Sequence, residues 1–129
     1  MTPLIVMVAA ARATIENLGP GDLAGELERP DVLLVDVREP GETENGVIPG
    51  AVLVPRGMLE FRADHGSPYH LEGFELRRRV IVYCAAGPRS ALAVRSLQDL
   101  GYRDVAHLDG GFRAWVEEGR PVTAPVGTG

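Results

Sequence analysis

Cys84 is the one residue in this chain whose type and position favour nucleophilic chemistry. It is the only cysteine among 129 residues, so no intramolecular disulfide can form. It follows the apolar run Val80–Tyr83 and precedes a short segment of small residues. A lone cysteine is either an inert buried side chain or a reactive thiol, and its surroundings decide between the two.

The segment after Cys84 is suited to binding an anion. Residues 85–87 are two alanines and a glycine, which let the backbone curl so that N–H groups converge on one point. A helix predicted to begin at Ser90 directs its positive end at the same point, and Arg89 adds a full charge. Pro88 has no N–H and removes one donor. Such a loop would stabilise a thiolate, a persulfide or thiosulfate, whereas the alternative is that Cys84 merely ends a buried strand.

Composition excludes several classes of function. All 13 basic residues are Arg, and the absence of Lys excludes Schiff-base chemistry. The net charge of −5 argues against binding to nucleic acid or to an anionic membrane surface. Three histidines, His65, His70 and His107, do not make a convincing metal site. We therefore expect neither a metal nor an organic cofactor.

The N-terminal residues lack the features of a signal peptide. The apolar stretch Leu4–Ala11 is short, and no basic segment precedes it. Leu4, Val8, Ala11 and Ile15 recur at helical spacing, which predicts an amphipathic helix packed on the domain. No stretch reaches the length needed to cross a bilayer. The expected location is the cytoplasm.

The rest of the chain alternates apolar strands with helices, a pattern typical of an α/β domain built on a mostly parallel sheet. Predicted strands cover residues 32–35, 51–54, 80–83 and 105–108. Predicted helices cover residues 20–29, 67–79 and 90–100, and a last helix lies between Gly111 and Gly119. Regular structure is expected to stop at Pro40.

Ligand sites in such folds lie beyond the carboxyl ends of the strands. In this chain that edge would bring together Asp36, Arg38, Arg56, Cys84, Arg89 and Asp109. The run Arg77–Arg79 is predicted to be a solvated helix end at the opposite edge. Phe112 and Trp115 are predicted to pack against the sheet.

Four separated segments resemble the rhodanese family, in the order in which that family carries them. They are residues 36–40 (DVREP), 46–51 (GVIPGA), 82–90 (VYCAAGPRS) and 108–115 (LDGGFRAW). The resemblance extends from residue 32 to about residue 122. One departure is Val47, which stands where the family usually has His.

The resemblance implies a three-layer rhodanese-like domain over residues 18–122. The N-terminal helix predicted from its spacing, in 1–17, lies outside the minimal family core and is expected to pack on the domain, and a loose tail is expected in 123–129. It implies a sulfurtransferase that moves a sulfane sulfur from thiosulfate or a related anionic donor to cyanide, a thiol or a sulfur-accepting protein. Cys84 would be catalytic and would carry the sulfur as a persulfide, and Asp36, Arg38 and Ser90 would support the loop, the first two as an ion pair. The residues that would cradle the persulfide and the anionic donor are Ala85, Ala86, Gly87, Pro88 and Arg89.

Three alternatives stay open at this point. A cysteine-dependent phosphatase or arsenate reductase uses a similar loop, with five residues between Cys and Arg to hold a tetrahedral oxyanion. Here four residues separate Cys84 from Arg89, and Tyr83 stands where many such phosphatases carry His, so the spacing favours a smaller sulfur group. A non-catalytic rhodanese-like binding module commonly lacks the cysteine that this chain keeps. A persulfide carrier would share only the first half of the transfer reaction.

Overall fold

Five parallel strands form the sheet. In the computed structural model, which describes residues 1–125, they are β1 (Glu16–Leu18), β2 (Leu33–Asp36), β3 (Val52–Leu53), β4 (Val80–Tyr83) and β5 (Val105–Leu108). Their order across the sheet is β1-β5-β4-β2-β3, and each neighbouring pair is parallel. The predicted α/β class with a mostly parallel sheet is therefore confirmed. Because the strands are parallel, their carboxyl ends share one edge.

Helices cover both faces of the sheet. They are α1 (Leu4–Ala13), α2 (Pro20–Glu26), α3 (Pro40–Thr43), α4 (Leu59–Ala63), α5 (Pro88–Asp99) and α6 (Gly111–Glu117), with a 3₁₀ turn at Arg56–Met58. Along β4, Val80 and Val82 join a core shared with α4 and α5, whereas Ile81 and Tyr83 join a core shared with α2 and α6. This alternation follows from the two-residue period of a strand, and burial on both faces explains the continuous apolar run.

The N-terminal segment contains a strand that its sequence did not reveal. Helix α1 packs on α5 through Val8 and Ala11, which contact Ala91, while Leu4 at its start is exposed. The chain then enters β1, which pairs with β5. The predicted boundary between residues 17 and 18 falls inside that strand, so the segment 1–17 is not a helix alone.

The helix predicted over residues 67–79 is absent, and this prediction was wrong. The segment consists of turns, and a short helix, α4, precedes it. Ser67 and Pro68 gave a helix-start signal, but Gly73 adopts a φ of +109°, which a right-handed helix does not allow. The same local reasoning misplaced Pro40, which begins the short helix α3 instead of ending regular structure.

The C-terminal segment is tied to the domain as far as residue 123. Thr123 pairs with Val47 in an antiparallel bridge, with N–O distances of 2.9 and 3.0 Å. The indole Nε1 of Trp115 donates to the Pro121 carbonyl oxygen at 2.8 Å. The predicted loose tail in 123–129 thus begins at a paired residue, and its residues 126–129 lie outside the described part of the chain. No helix within residues 1–125 is both long and apolar enough to cross a membrane.

Arg79 is buried, so the prediction that it belongs to a solvated helix end was wrong. Its side chain is 5 % exposed and forms ion pairs with Glu16, Glu26 and Asp104 at 2.8, 2.8 and 3.0 Å. Arg79 directly precedes β4, Asp104 directly precedes β5, and Glu16 is the first residue of β1. The cluster therefore lies at the amino-terminal edge of the sheet. The guanidinium lowers the pKa of Glu26 through their hydrogen bond. This cluster joins three strands and α2 opposite the carboxyl-terminal edge.

We expect Arg79→Ala to lower the free energy of unfolding by about 2 kcal/mol or more, because three carboxylates would lose a shared buried partner. Urea unfolding followed by circular dichroism measures the change. Arg77→Ala, at an exposed position two residues earlier, is the matched control and should change stability by less than about 0.5 kcal/mol. Equal losses in the two variants would contradict a special role for the cluster.

Candidate active site

Cys84 lies at the carboxyl end of the central strand β4, as its sequence context predicts. The residue is fully buried, and a tight loop carries the chain from it into α5. Gly87 caps α5 with a φ of +118°, a conformation that side chains with a Cβ rarely adopt, and Pro88 occupies the first helical position. The loop therefore reverses the chain within three residues and returns the start of α5 to the sulfur.

Two backbone N–H groups donate to the Cys84 sulfur. The Gly87 N–H lies 3.1 Å from Sγ and the Ser90 N–H lies 3.4 Å from it. The thiol itself donates to the Ser90 hydroxyl, with an Sγ–Oγ distance of 3.6 Å. Ser90, predicted as a supporting residue, thus contacts the sulfur directly. Donors at the amino-terminal end of a twelve-residue helix are well placed to stabilise a negative charge on that sulfur.

The first turn of α6 holds the loop from the other side. The N–H groups of Phe112 and Arg113 donate to the carbonyl oxygens of Cys84 and Ala85, at 2.9 and 3.0 Å. This approach depends on Gly111, which has a φ of +62° and where an added Cβ would lie 2.6 Å from the Cys84 carbonyl oxygen. The glycine that begins α6 therefore fixes the position of the reactive loop.

Asp36 and Arg38 form the predicted ion pair. Their side chains are buried and meet at 2.8 Å between Asp36 Oδ2 and Arg38 Nη2. The same guanidinium donates to the carbonyl oxygens of Glu42 and Gly46 and lies 4.2 Å from the centroid of the Phe112 ring. The pair thus connects the end of β2 to the connection after α3 and to α6.

Arg89 is held by a carboxylate. It makes two hydrogen bonds with Glu42 of α3, at 2.7 and 2.9 Å, and both side chains are about one third exposed. The hydrogen bond from Arg89 lowers the pKa of Glu42 to about 2, so Glu42 is ionised at neutral pH. An anion that binds Arg89 must therefore compete with Glu42.

The two other charged residues predicted at this edge have different partners. Arg56 pairs with Glu60 at 2.9 Å and also donates to the Ser96 hydroxyl. Asp109 lies 3.9 Å from Arg12 of α1. An added Cβ on Gly87 would approach the Arg12 guanidinium to 2.9 Å, so Arg12 and Asp109 adjoin the Cys84 loop, and Arg12 is a neighbour that sequence reasoning missed.

Sequence reasoning also missed His107, which it considered only as a metal ligand. The imidazole is fully buried in β5, with Nδ1 2.8 Å from the Ser90 hydroxyl and Nε2 2.7 Å from the Asn17 amide oxygen. Burial lowers its pKa to about 4. The available signal was a polar residue in an otherwise apolar buried strand, which requires hydrogen-bond partners.

The comparison with known families agrees with this geometry. A model of the rhodanese-like domain matches residues 19–118. This chain belongs to the rhodanese-like family. The family assignment made from the four sequence segments is confirmed, as is the expected fold.

Several rhodanese-like relatives are named sulfurtransferases. A sulfurtransferase of Allochromatium vinosum is 38% identical over 97 residues, which cover 75% of this chain and 83% of the relative. The thiosulfate sulfurtransferase GlpE of Shewanella oneidensis is 31% identical, with 81% of this chain and 96% of the relative covered. The probable adenylyltransferase/sulfurtransferase MoeZ of Mycobacterium tuberculosis is 32% identical over 88% of this chain, which spans only 28% of MoeZ.

A solved structure of similar shape carries a different functional suggestion. It is a protein of unknown function from Rhodopseudomonas palustris, described as a possible tyrosine phosphatase. It is 40% identical to this rhodanese-like chain, and the two superimpose with a TM-score of 0.89. The match covers 95% of this chain and 96% of the R. palustris protein. The phosphatase alternative therefore has to be weighed on the active-site loop itself.

We expect Gly111→Ala to displace the loop and to destabilise the protein by about 2–4 kcal/mol, because the new methyl group would overlap the Cys84 carbonyl oxygen. Gly119→Ala is the matched control: Gly119 also has a positive φ, of +73°, but an added Cβ there meets no atom of residues 1–125 within 4 Å. That control should cost only the conformational strain, about 1 kcal/mol. Thermal unfolding measures both, and equal losses would show that close approach to the loop has no separate effect.

Proposed function

We propose that this rhodanese-like protein transfers a sulfane sulfur from thiosulfate or a related anionic donor to a thiophilic acceptor, through a persulfide on Cys84. The observation that carries the proposal is the pair of N–H donors, from Gly87 and Ser90, that converge on the Cys84 sulfur. These donors would stabilise the thiolate before the transfer and the terminal sulfur of the persulfide after it. The sulfurtransferase names of the relatives support the same reaction class.

The reaction has two balanced steps. In the first, the Cys84 thiolate attacks the outer sulfur of thiosulfate, a new S–S bond forms, and the S–S bond of the donor breaks as sulfite leaves with the electron pair. In the second, a thiolate or cyanide attacks the terminal sulfur of the persulfide. The bond to Sγ then breaks and the Cys84 thiolate is regenerated. Neither step requires a metal, an organic cofactor or an external oxidant.

Access to the sulfur favours a slender donor. Cys84 is fully buried, and the loop above it carries only the methyl groups of Ala85 and Ala86 and the bare backbone of Gly87 before Pro88. An outer sulfur atom at the end of an anion can approach through a loop of this kind with little displacement of side chains. Arg89 would bind the oxyanion end of the donor, in exchange for its ion pair with Glu42.

The phosphatase alternative is less well supported by the loop. Four residues lie between Cys84 and Arg89, and two loop N–H groups already contact the sulfur at 3.1 and 3.4 Å. A tetrahedral phosphoryl group needs donors spread around three oxygens and an arginine turned toward them. Arg89 would have to leave Glu42 for either anion, so the shorter spacing between Cys84 and Arg89 is the observation that favours sulfur. A persulfide carrier that delivers sulfur to a protein is the second candidate, because it needs the same cradle and the same first step.

The direct test is to incubate the reduced protein with thiosulfate and to measure its intact mass. We expect a gain of one sulfur atom that disappears on addition of cyanide and is absent in Cys84→Ser. Since the chain has one cysteine, the added sulfur can be assigned to Cys84 without further mapping. No gain with thiosulfate or with polysulfide, in a folded protein with a free thiol, would contradict the proposal. Turnover of an aryl phosphate by the same preparation would instead support the phosphatase.

We expect Glu42→Gln to lower the KM for thiosulfate by about threefold or more with little change in kcat, because Arg89 would no longer be held by a carboxylate. Glutamine keeps the oxygen that accepts the Glu39 N–H at the start of α3, so the helix should persist. Glu44→Gln, at an exposed position after the same helix, is the matched control for the loss of one charge. Steady-state kinetics decide the matter: a raised KM would show that Glu42 holds Arg89 in its working position.

A further inference from the structure

A continuous chain of hydrogen bonds connects the Cys84 thiol in the middle of the sheet to the outer strand β1. The Cys84 Sγ lies 3.6 Å from the Ser90 Oγ, which lies 2.8 Å from Nδ1 of His107. On the other side of the ring, Nε2 lies 2.7 Å from the Asn17 Oδ1. These four residues come from the end of β4, from α5, from β5 and from β1. The tertiary fold alone brings them together.

The direction of each hydrogen bond follows from Asn17. Its Nδ2 group donates to the carbonyl oxygens of Arg12 and Ile15, both at 3.1 Å, so the amide oxygen is the atom that faces His107. Because that oxygen can only accept, Nε2 carries the imidazole proton and Nδ1 is an acceptor. The Ser90 hydroxyl has two acceptors within reach, Nδ1 at 2.8 Å and the Gly87 carbonyl oxygen at 3.1 Å, and it donates to Nδ1, which is the nearer of the two. The Ser90 oxygen accepts the S–H of Cys84.

We propose that Ser90 and His107 relay the proton of the Cys84 thiol, so that the thiolate forms inside the buried site without water. The proposal rests on the proposed function, since it supplies the nucleophile for sulfur transfer. The S–H bond breaks and its proton passes to the Ser90 oxygen, while the Ser90 hydroxyl proton passes to Nδ1 of His107. The products are a thiolate, an unchanged serine hydroxyl and an imidazolium, so the net charge of the site stays constant.

The relay also improves the environment of the sulfur. Before proton transfer, the Ser90 hydroxyl donates to His107 and offers only a lone pair to the thiol. After transfer, the imidazolium donates to the Ser90 oxygen, and the Ser90 hydroxyl donates to the thiolate. The sulfur then accepts hydrogen bonds from this hydroxyl and from the N–H groups of Gly87 and Ser90. The hydrogen bond between Nε2 and Asn17 persists in both states.

The charges around His107 couple its protonation to that of Cys84. Burial lowers the pKa of His107 to about 4, Arg12 of α1 acts in the same direction, and Asp109 at the end of β5 opposes it. The residues that face the ring from α5 and β1, Ser90 and Asn17, are uncharged. An isolated imidazolium is therefore unfavourable here. It becomes favourable when a thiolate forms nearby, because the opposite charge compensates for the lost solvation.

The relay assigns a role to the segment that precedes the family domain. The family model begins at residue 19, so both Asn17 and Arg12 lie outside the matched residues. The carbonyl oxygen of Arg12, in the last turn of α1, orients the Asn17 amide, and Asn17 in turn sets the tautomer of His107. Through this contact, helix α1 influences the active site without touching the sulfur. His107 acts through Ser90 and is in this scheme a positioning residue.

The test follows the ultraviolet absorbance of the thiolate against pH, measured as the difference from Cys84→Ser. With one cysteine in the chain, the signal reports Cys84 alone and needs no access by a reagent. His107→Asn places an amide oxygen near the position of Nδ1, which keeps an acceptor for Ser90 but cannot take the proton. We expect its thiolate fraction at neutral pH to fall by about tenfold or more. Asn17→Ala, which removes the oxygen that accepts the Nε2–H, should make the imidazolium harder to form and move the titration to higher pH.

His65→Asn is the matched control, because His65 is an exposed histidine paired with Glu75 and should leave the titration unchanged. Circular dichroism checks that each variant is folded. A His107→Asn curve that superimposes on the wild-type curve would overturn the relay and leave His107 as a packing residue. A shift to lower pH in Asn17→Ala would overturn it as well.

The outcome is independent of the sulfur-loading experiment. If the titrations move as expected but wild-type protein takes up no sulfur from thiosulfate or polysulfide, the relay stands and the assigned donor class fails. If wild-type protein takes up sulfur and the titrations do not move, the sulfurtransferase proposal stands and the relay fails.

Discussion

The contact between the Cys84 sulfur and the first N–H groups of α5 is the constraint on which the rest of the site depends. A sulfur at the end of a buried strand meets a helix start only if the chain reverses almost at once. Gly87 permits this reversal because its φ of +118° costs a glycine little. Once the reversal is made, the helix lies with its positive end at the sulfur, and charge at that point is stabilised by backbone groups that no side-chain motion can withdraw.

The remaining contacts hold this loop from three directions. Below it, β4 is buried on both faces, so the position of Cys84 is set by two cores at once. Beside it, the first turn of α6 donates to the Cys84 and Ala85 carbonyl oxygens across the close approach at Gly111. Behind α6, the Arg38 guanidinium lies against Phe112 and is fixed in turn by Asp36. Reactive groups held in this way by regular elements keep their geometry better than groups on a free loop.

The sequence predicted the elements whose signals are local. Strand β4 is a continuous apolar run, β2 is apolar up to Asp36 and β5 is apolar except for His107, and α5 has a clear apolar face. Their types and approximate bounds could therefore be predicted, together with Cys84 at a strand end. The helix predicted over residues 67–79 was wrong because a local Ser–Pro start signal gives no information about the backbone conformation at Gly73. The buried environments of Arg79 and His107 could not be predicted for a different reason. Their partners lie 17 to 90 residues away in the sequence, and β1, which supplies one partner to each, is only three residues long. Such contacts follow from the pairing of β1 with β5 and are not visible in a local pattern.

The number of acceptor atoms to which the loop can donate hydrogen bonds distinguishes a sulfur ligand from a phosphate ligand on the same fold. The N–H groups of Gly87 and Ser90 donate here to a single sulfur atom, whose thiol donates in turn to the Ser90 hydroxyl. Pro88, which lies between the two donating residues, has no N–H to add. A persulfide extends this arrangement by one atom, whose charge is concentrated and needs few donors. A phosphoryl group would spread its charge over three oxygens and would need donors at each of them. The likeness to a protein described as a possible tyrosine phosphatase therefore reflects a shared fold, while the short loop of this chain favours sulfur as the group that is carried.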